Sequence, residues 1–126
     1  MKALQNFVNG KYVDSKSGKT TELVNPATGK VFATAPNSNE ADIDAALQAA
    51  AAAFPGWRDS TPSVRQKALL KIADALEANA EKLVAIESEN CGKPISVTMS
   101  EEIPPMIDQI RFFAGAARNL EGKSAG

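Results

Sequence analysis

The sequence predicts an α/β fold in which a β-hairpin and short strands precede three or four helices. Three observations lead to it. An Asn-Gly pair stands between short β-prone flanks near the start. Turn residues punctuate the first third. From Asn39 onward, apolar residues recur at helical spacing.

Phe7-Val8-Asn9-Gly10-Lys11-Tyr12-Val13 reads as a hairpin, because both residues of a two-residue turn need positive φ and Asn-Gly supplies them at least cost. Asp14 to Lys19 is polar and contains Gly18, a second turn. Thr20 to Val24 is a strand candidate. Asn25-Pro26-Ala27-Thr28-Gly29 is a tight turn, with proline fixing one φ and Gly29 free to go left-handed. Lys30 to Ala35 is another short strand.

Asn39 is placed to cap a helix running to about Phe54, with Asp42 in its first turn and Ile43, Ala46, Leu47 and Ala50 as the apolar stripe. Pro55-Gly56 is expected to end it and leave Trp57 in a loop. Thr61-Pro62 opens the next helix, with Val64, Ala68, Leu69, Ile72 and Leu76 at helical spacing. Asn79 separates it from a helix over Ala80 to about Asn90. Gly92 is a natural carboxyl-end cap and Pro94 prevents continuation. Ile95 to Met99 suits a short helix, followed by a break near Glu101 to Ile103 and a last helix starting at Pro104-Pro105. Met106, Ile107, Ile110, Phe113, Ala114 and Ala117 give that helix a wide apolar surface, with Phe112 beside it.

The 126 residues suffice for one domain with a modest core, and no linker stands out. Net charge is -1, with both signs interspersed, so neither nucleic acid nor a membrane surface is an expected partner. No run approaches the roughly 18 apolar residues of a membrane span, and no signal peptide is evident; a cytoplasmic protein is expected. Histidine is absent and Cys91 is the one cysteine. The commonest general base is therefore missing, and so are zinc sites of the Cys/His kind. Only Lys93 stands near Cys91 to favour a thiolate, so an inert thiol at a helix end is the expected reading. Trp57 reads as a residue covering a core edge, and Lys93 as a solvated end-of-helix charge.

Taken in order, several of these segments resemble the aldehyde dehydrogenase superfamily. They are the Phe7–Val13 hairpin, Val24-Asn25-Pro26-Ala27-Thr28-Gly29-Lys30-Val31, the helix from Asp42 to Phe54 with Trp57, Arg65 to Leu76, Asn90-Cys91-Gly92-Lys93-Pro94, and Arg111-Phe112-Phe113-Ala114-Gly115. The resemblance covers essentially the whole chain and implies the N-terminal part of an NAD-binding domain spanning residues 1–126, with the catalytic and oligomerisation parts outside it. Within the superfamily, Glu89 to Pro94, Glu101-Glu102-Ile103-Pro104 and Phe112 to Arg118 resemble the γ-aminobutyraldehyde dehydrogenases.

Such enzymes oxidise an aldehyde to its carboxylate. A cysteine thiolate attacks the carbonyl, hydride passes to NAD or NADP, and a glutamate-activated water hydrolyses the thioester. The resemblance places the catalytic and cofactor-binding residues downstream, and its Gly-Lys-Pro element does not hold the catalytic cysteine. No catalytic residue, bound cofactor or activity is therefore expected of this chain alone. It also implies that Glu101, Glu102 and Pro105 line the mouth of a substrate tunnel, where a carboxylate would favour an aldehyde bearing an ammonium group. The competing reading makes the two acids stabilisers of a helix N-terminus. A monovalent cation site is implied as well, from the Leu23 and Val24 carbonyls and Asn90. Asn90 replaces a carboxylate there, and its alternative role is to cap helix ends.

Three readings follow. The chain is an N-terminal fragment of such an enzyme, or a short binding or assembly protein of the same ancestry, or an unrelated helical module with a coincidental likeness. Homo-oligomerisation, or self-association through apolar helix faces left uncovered, is expected.

Overall fold

A computed structural model describes residues 2–119 and 121–123. Five strands, β1 (Lys2–Ala3), β2 (Asn6–Val8), β3 (Lys11–Val13), β4 (Thr20–Asn25) and β5 (Lys30–Pro36), are followed by helices α1 (Glu40–Arg58), α2 (Pro62–Ala78) and α3 (Ala80–Cys91). A single turn, α4 (Ile95–Val97), runs into a π-helical turn over Thr98–Glu102 and then α5 (Ile103–Ala116). The expected α/β class and order of elements hold.

The residues cluster into two compact units. One comprises residues up to Asp59 with Asn90–Gly92; the other comprises Ser60–Glu89 and the residues from Lys93 onward. Few side chains are fully buried, Val84 being the largest, so no single core dominates.

In the first unit, β2 and β3 form the hairpin, with Phe7 opposite Tyr12 and their rings edge to face at 5.1 Å. Asn9 and Gly10 have φ of 51° and 76°, the left-handed pair that the two-residue turn requires. The second sheet has the order β1-β5-β4, with β4 and β5 antiparallel and β1 added parallel to β5. The β1 strand was not anticipated: two residues carry no legible pattern, and the parallel neighbour is some thirty residues on. In the Asn25–Gly29 turn the Asn25 side chain accepts from the Ala27 N–H at 2.9 Å, and the Asn25 carbonyl accepts from Gly29 at 2.8 Å.

The start of α1 is a reciprocal cap. The Asn39 side chain accepts from the Asp42 N–H at 3.2 Å, while Asp42 accepts from the Asn39 N–H at 3.0 Å. Asp42 also accepts from the Lys16 N–H at 2.8 Å and the Ser15 hydroxyl at 2.6 Å. A single carboxylate thus joins the loop after β3 to the helix start.

At its other end α1 does not stop at Pro55-Gly56. It continues to Arg58, so Trp57 lies within the helix and not in a loop. Proline deletes only its own N–H, and so close to the helix end little ladder is lost. The Pro55 carbonyl accepts from the Asp59 N–H at 3.0 Å. Arg58 grips Asp59 at 2.7 and 2.9 Å and lies 5.9 Å from the centre of the Phe54 ring.

In the second unit, α2 packs on α5, and each contributes a fully buried alanine, Ala73 and Ala114. Arg111 of α5 reaches Asp74 at 3.0 Å and Glu77 at 2.6 Å on α2. Thr61 stands at the α2 start as expected, but its hydroxyl makes no cap bond.

The expected break near Glu101–Ile103 is absent. The backbone stays helical through a π turn, in which the Ile103 N–H donates to the Thr98 carbonyl, and α5 begins at Ile103. Pro104 and Pro105 sit in the first turn of α5, where their missing N–H groups cost little. The wider turn ahead of them keeps the chain helical without demanding those donors.

Two stability predictions arise from the first unit. Gly92 has φ of 76°, and a Cβ there would lie 3.0 Å from Pro26 Cγ. Gly92→Ala should cost about 1–2 kcal/mol in chemical denaturation. The Lys16 N–H, the Ser15 hydroxyl and the Asn39 N–H hold the Asp42 carboxyl below its ordinary value. Because the native value is depressed, Asp42 contributes stability above the unfolded-state value and loses it as pH falls through the native one. Asp42→Asn should lower Tm at neutral pH, and the gap from the parent should close in acid; an unchanged gap would refute the assignment.

Candidate functional site

The second unit holds an apolar cleft of about 350 Å³, walled by Leu76 of α2, Leu83, Val84, Ile86 and Glu87 of α3, Thr98 and Glu102 of the π turn, and Ile103 and Met106 of α5. Each element contributes for a local reason. The α3 residues Leu83, Ile86 and Glu87 share one helical face by their i, i+3, i+4 spacing, and Val84 lies beside them, fully buried. Thr98 is buried and donates its hydroxyl back to the Pro94 carbonyl at 3.1 Å, which satisfies its polar atom. The π turn rotates Glu102 out of the register that an α turn would give it, and places it on the cleft wall with Ile103 and Met106.

Lys93 gathers the charges at this cleft. Its Nζ lies 2.6 Å from Glu102 Oε2 and 3.4 Å from Glu87 Oε1. The hydrogen bond that Lys93 donates to Glu102 raises its ammonium above the ordinary value; desolvation opposes this, and the charges of Glu102 and Glu87 with the hydrogen bond to Glu87 add to it. Lys93 is thus an ion-paired bridge rather than the solvated end-of-helix charge expected from sequence. The signal that could have found it is weak: two acids six residues before and nine residues after a lysine, across a segment whose path sequence did not reveal.

The three residues expected at a tunnel mouth, Glu101, Glu102 and Pro105, occupy three settings. Glu102 is engaged by Lys93 and lines the cleft. Glu101 is exposed and accepts from the Ser100 hydroxyl at 3.3 Å. Pro105 is exposed in the first turn of α5 and does not wall the cleft. The two acids belong to the π turn, not to a loop ahead of a helix.

Leu23, Val24 and Asn90, expected to hold a monovalent cation, fall in the first unit. Between Leu23 and Val24 the pairing slips: Leu23 faces Ala33, Val24 faces Val31, and Phe32 is the extra residue of a bulge. A bulge disturbs the ladder that would otherwise occupy these carbonyls. Gly92 stands against Pro26, which brings the Asn90–Gly92 segment beside the turn that follows β4. Two carbonyls and an amide oxygen are hard donors suited to an alkali cation. Among the described residues no cluster of three or more His, Cys, Asp or Glu is placed to hold a metal.

Cys91 is exposed and ends α3. Many large apolar side chains on the helices are also exposed, including Leu47 (64%), Phe112 (69%) and Phe113 (60%). No helix among the described residues is long and apolar enough to cross a membrane.

Comparison with known proteins agrees with this geometry. The sequence model of the aldehyde dehydrogenase family matches residues 12–126. A long-chain-aldehyde dehydrogenase of an Acinetobacter species is 42% identical over 118 residues, covering 94% of this chain and 24% of the relative. The 2-aminomuconic semialdehyde dehydrogenase of Bos taurus is 39% identical over 113 residues, or 90% of this chain and 23% of the relative. The NAD+ complex of aldehyde dehydrogenase from Bacillus cereus superposes with a TM-score of 0.92 at 34% identity, over 98% of this chain and 26% of that one. The chain spans about a quarter of the length of these relatives.

Proposed function

The chain belongs to the aldehyde dehydrogenase family, and from that premise we propose that it is the N-terminal part of the NAD-binding domain of an NAD(P)-dependent enzyme that oxidises an aldehyde to its carboxylate. The observation behind this reading is the family match across residues 12–126 together with a span near one quarter of the relatives' length. The catalytic thiol, its oxyanion donors and the base are then supplied by sequence outside this segment, as are the groups that hold the nucleotide. Bound nicotinamide would accept the hydride; this chain's own share is structural support and a wall of the substrate entrance. The cytoplasm suits such an enzyme. Apolar faces on α1 and α5 suit homo-oligomerisation or self-association.

For the substrate we propose an aminoaldehyde, γ-aminobutyraldehyde being the type. Glu101 and Glu102 would face its ammonium at the tunnel mouth, with Pro105, which stands outside the apolar cleft, as a wall of that mouth. The alternating charges there support an ammonium over a neutral tail, because a carboxylate rewards a cation and gains nothing from an alkyl group. The Leu23 and Val24 carbonyls with Asn90 would seat a monovalent cation.

Two measurements test these readings. The 126-residue chain, mixed with NAD or NADP and an aldehyde, should produce no reduced nucleotide; measurable turnover would overturn the assignment to a non-catalytic segment. In an active enzyme carrying this segment, Glu101→Gln combined with Glu102→Gln should lower kcat/KM for an aminoaldehyde relative to a neutral aldehyde of equal length by roughly fivefold. An unchanged ratio would leave the acids with only their helix-stabilising role.

A further inference from the structure

We propose that Lys93 is an internal counter-ion that masks Glu102, and so is a specificity-determining residue for a ligand carrying an ammonium group on an apolar body. This rests on reading Glu101 and Glu102 as acids of the substrate entrance, and it names the group that sets their effective charge.

The geometry supports it in three ways. First, the Lys93 ammonium lies 2.6 Å from Glu102 and 3.4 Å from Glu87, so one cation spans both carboxylates at the cleft. Two carboxylates and one ammonium leave a net charge of minus one, which is complementary to a cation. Second, the walls beside these acids are apolar: Leu76, Leu83, Ile86, Ile103 and Met106. An alkyl chain with a terminal ammonium matches both parts. Third, lysine is itself an ammonium on an alkyl stem, so Lys93 stands where the head of such a ligand would stand and competes with it. Its raised pKa keeps it charged through the neutral range, which keeps the mask in place. Glu101, which accepts from a serine hydroxyl and not from Lys93, is then less compensated in charge than Glu102.

The test uses the 126-residue chain, n-butylammonium as the probe and n-butanol as its neutral counterpart, with binding followed by the NMR shifts of the Ile103 and Met106 methyl groups. Lys93→Met keeps an apolar stem but removes the charge. It should bind n-butylammonium about two- to fivefold tighter than the parent, the range expected for one partly exposed charge pair, with n-butanol unchanged. Lys93→Arg should restore the parent's behaviour, and Lys93→Met with Glu102→Gln should lose the gain. Glu102→Gln alone should weaken n-butylammonium and leave n-butanol unchanged, which keeps the proposal testable if Lys93→Met fails to fold. No gain in Lys93→Met, an equal gain for n-butanol, or a gain that survives Glu102→Gln would each overturn it. This readout needs no turnover, so its failure is distinct from a failure of the kinetic test on the acids.

Discussion

The first unit is organised around the carboxylate of Asp42. Four hydrogen bonds converge on this residue: it accepts from the backbone of Lys16, the hydroxyl of Ser15 and the backbone of Asn39, and its own N–H donates to Asn39. The unit has little buried apolar surface, so a charged group that satisfies several donors at once replaces what a larger core would supply. A capping box normally concerns one helix end. Here the same carboxylate reaches back to the loop after β3 and ties a hairpin-bearing segment to the helix. Ser17 extends the join by donating its hydroxyl to the Asn37 carbonyl at 2.7 Å.

The second unit is organised differently. Two small buried residues, Ala73 and Ala114, belong to helices that pack on each other, and charges close the arrangement at its edges. Arg111 binds two acids of α2, and Lys93 binds Glu87 and Glu102. These pairs are partly exposed, so each contributes little to stability. Their consequence is positional. A π turn is a costly departure from the α ladder, and it persists here because Thr98 is buried and bonded to Pro94, while two prolines forbid the regular alternative. The result is a glutamate turned into a cleft that its sequence neighbours do not predict.

Family membership gives these features a shared context. The chain matches a quarter of the length of enzymes that are much longer, and its helices expose Leu47, Phe112 and Phe113. Exposed aromatic and aliphatic side chains on several helices form faces that a partner surface could cover.

What the sequence by itself determined were features of short range. Asn9-Gly10 specified its turn because only residues tolerant of positive φ fit there, and the structure shows both in that region. Asn39 with Asp42, the turn at Asn25–Gly29, the stop at Asn79 and the left-handed Gly92 are legible for the same reason: the interaction lies within a few residues of the signal. The ordered motifs also disclosed the family. Tertiary structure alone decided the rest. Pro55 and Pro104-Pro105 were legible as helix breakers, but whether a helix breaks depends on partners that can absorb the lost donor. At Pro55 little ladder remains to be lost so near the helix end, and ahead of Pro104-Pro105 a π turn takes up the change. The pairing of β1 with β5, the bulge at Phe32 and the meeting of Lys93 with Glu87 and Glu102 depend on where the chain returns in space. No local propensity encodes that return.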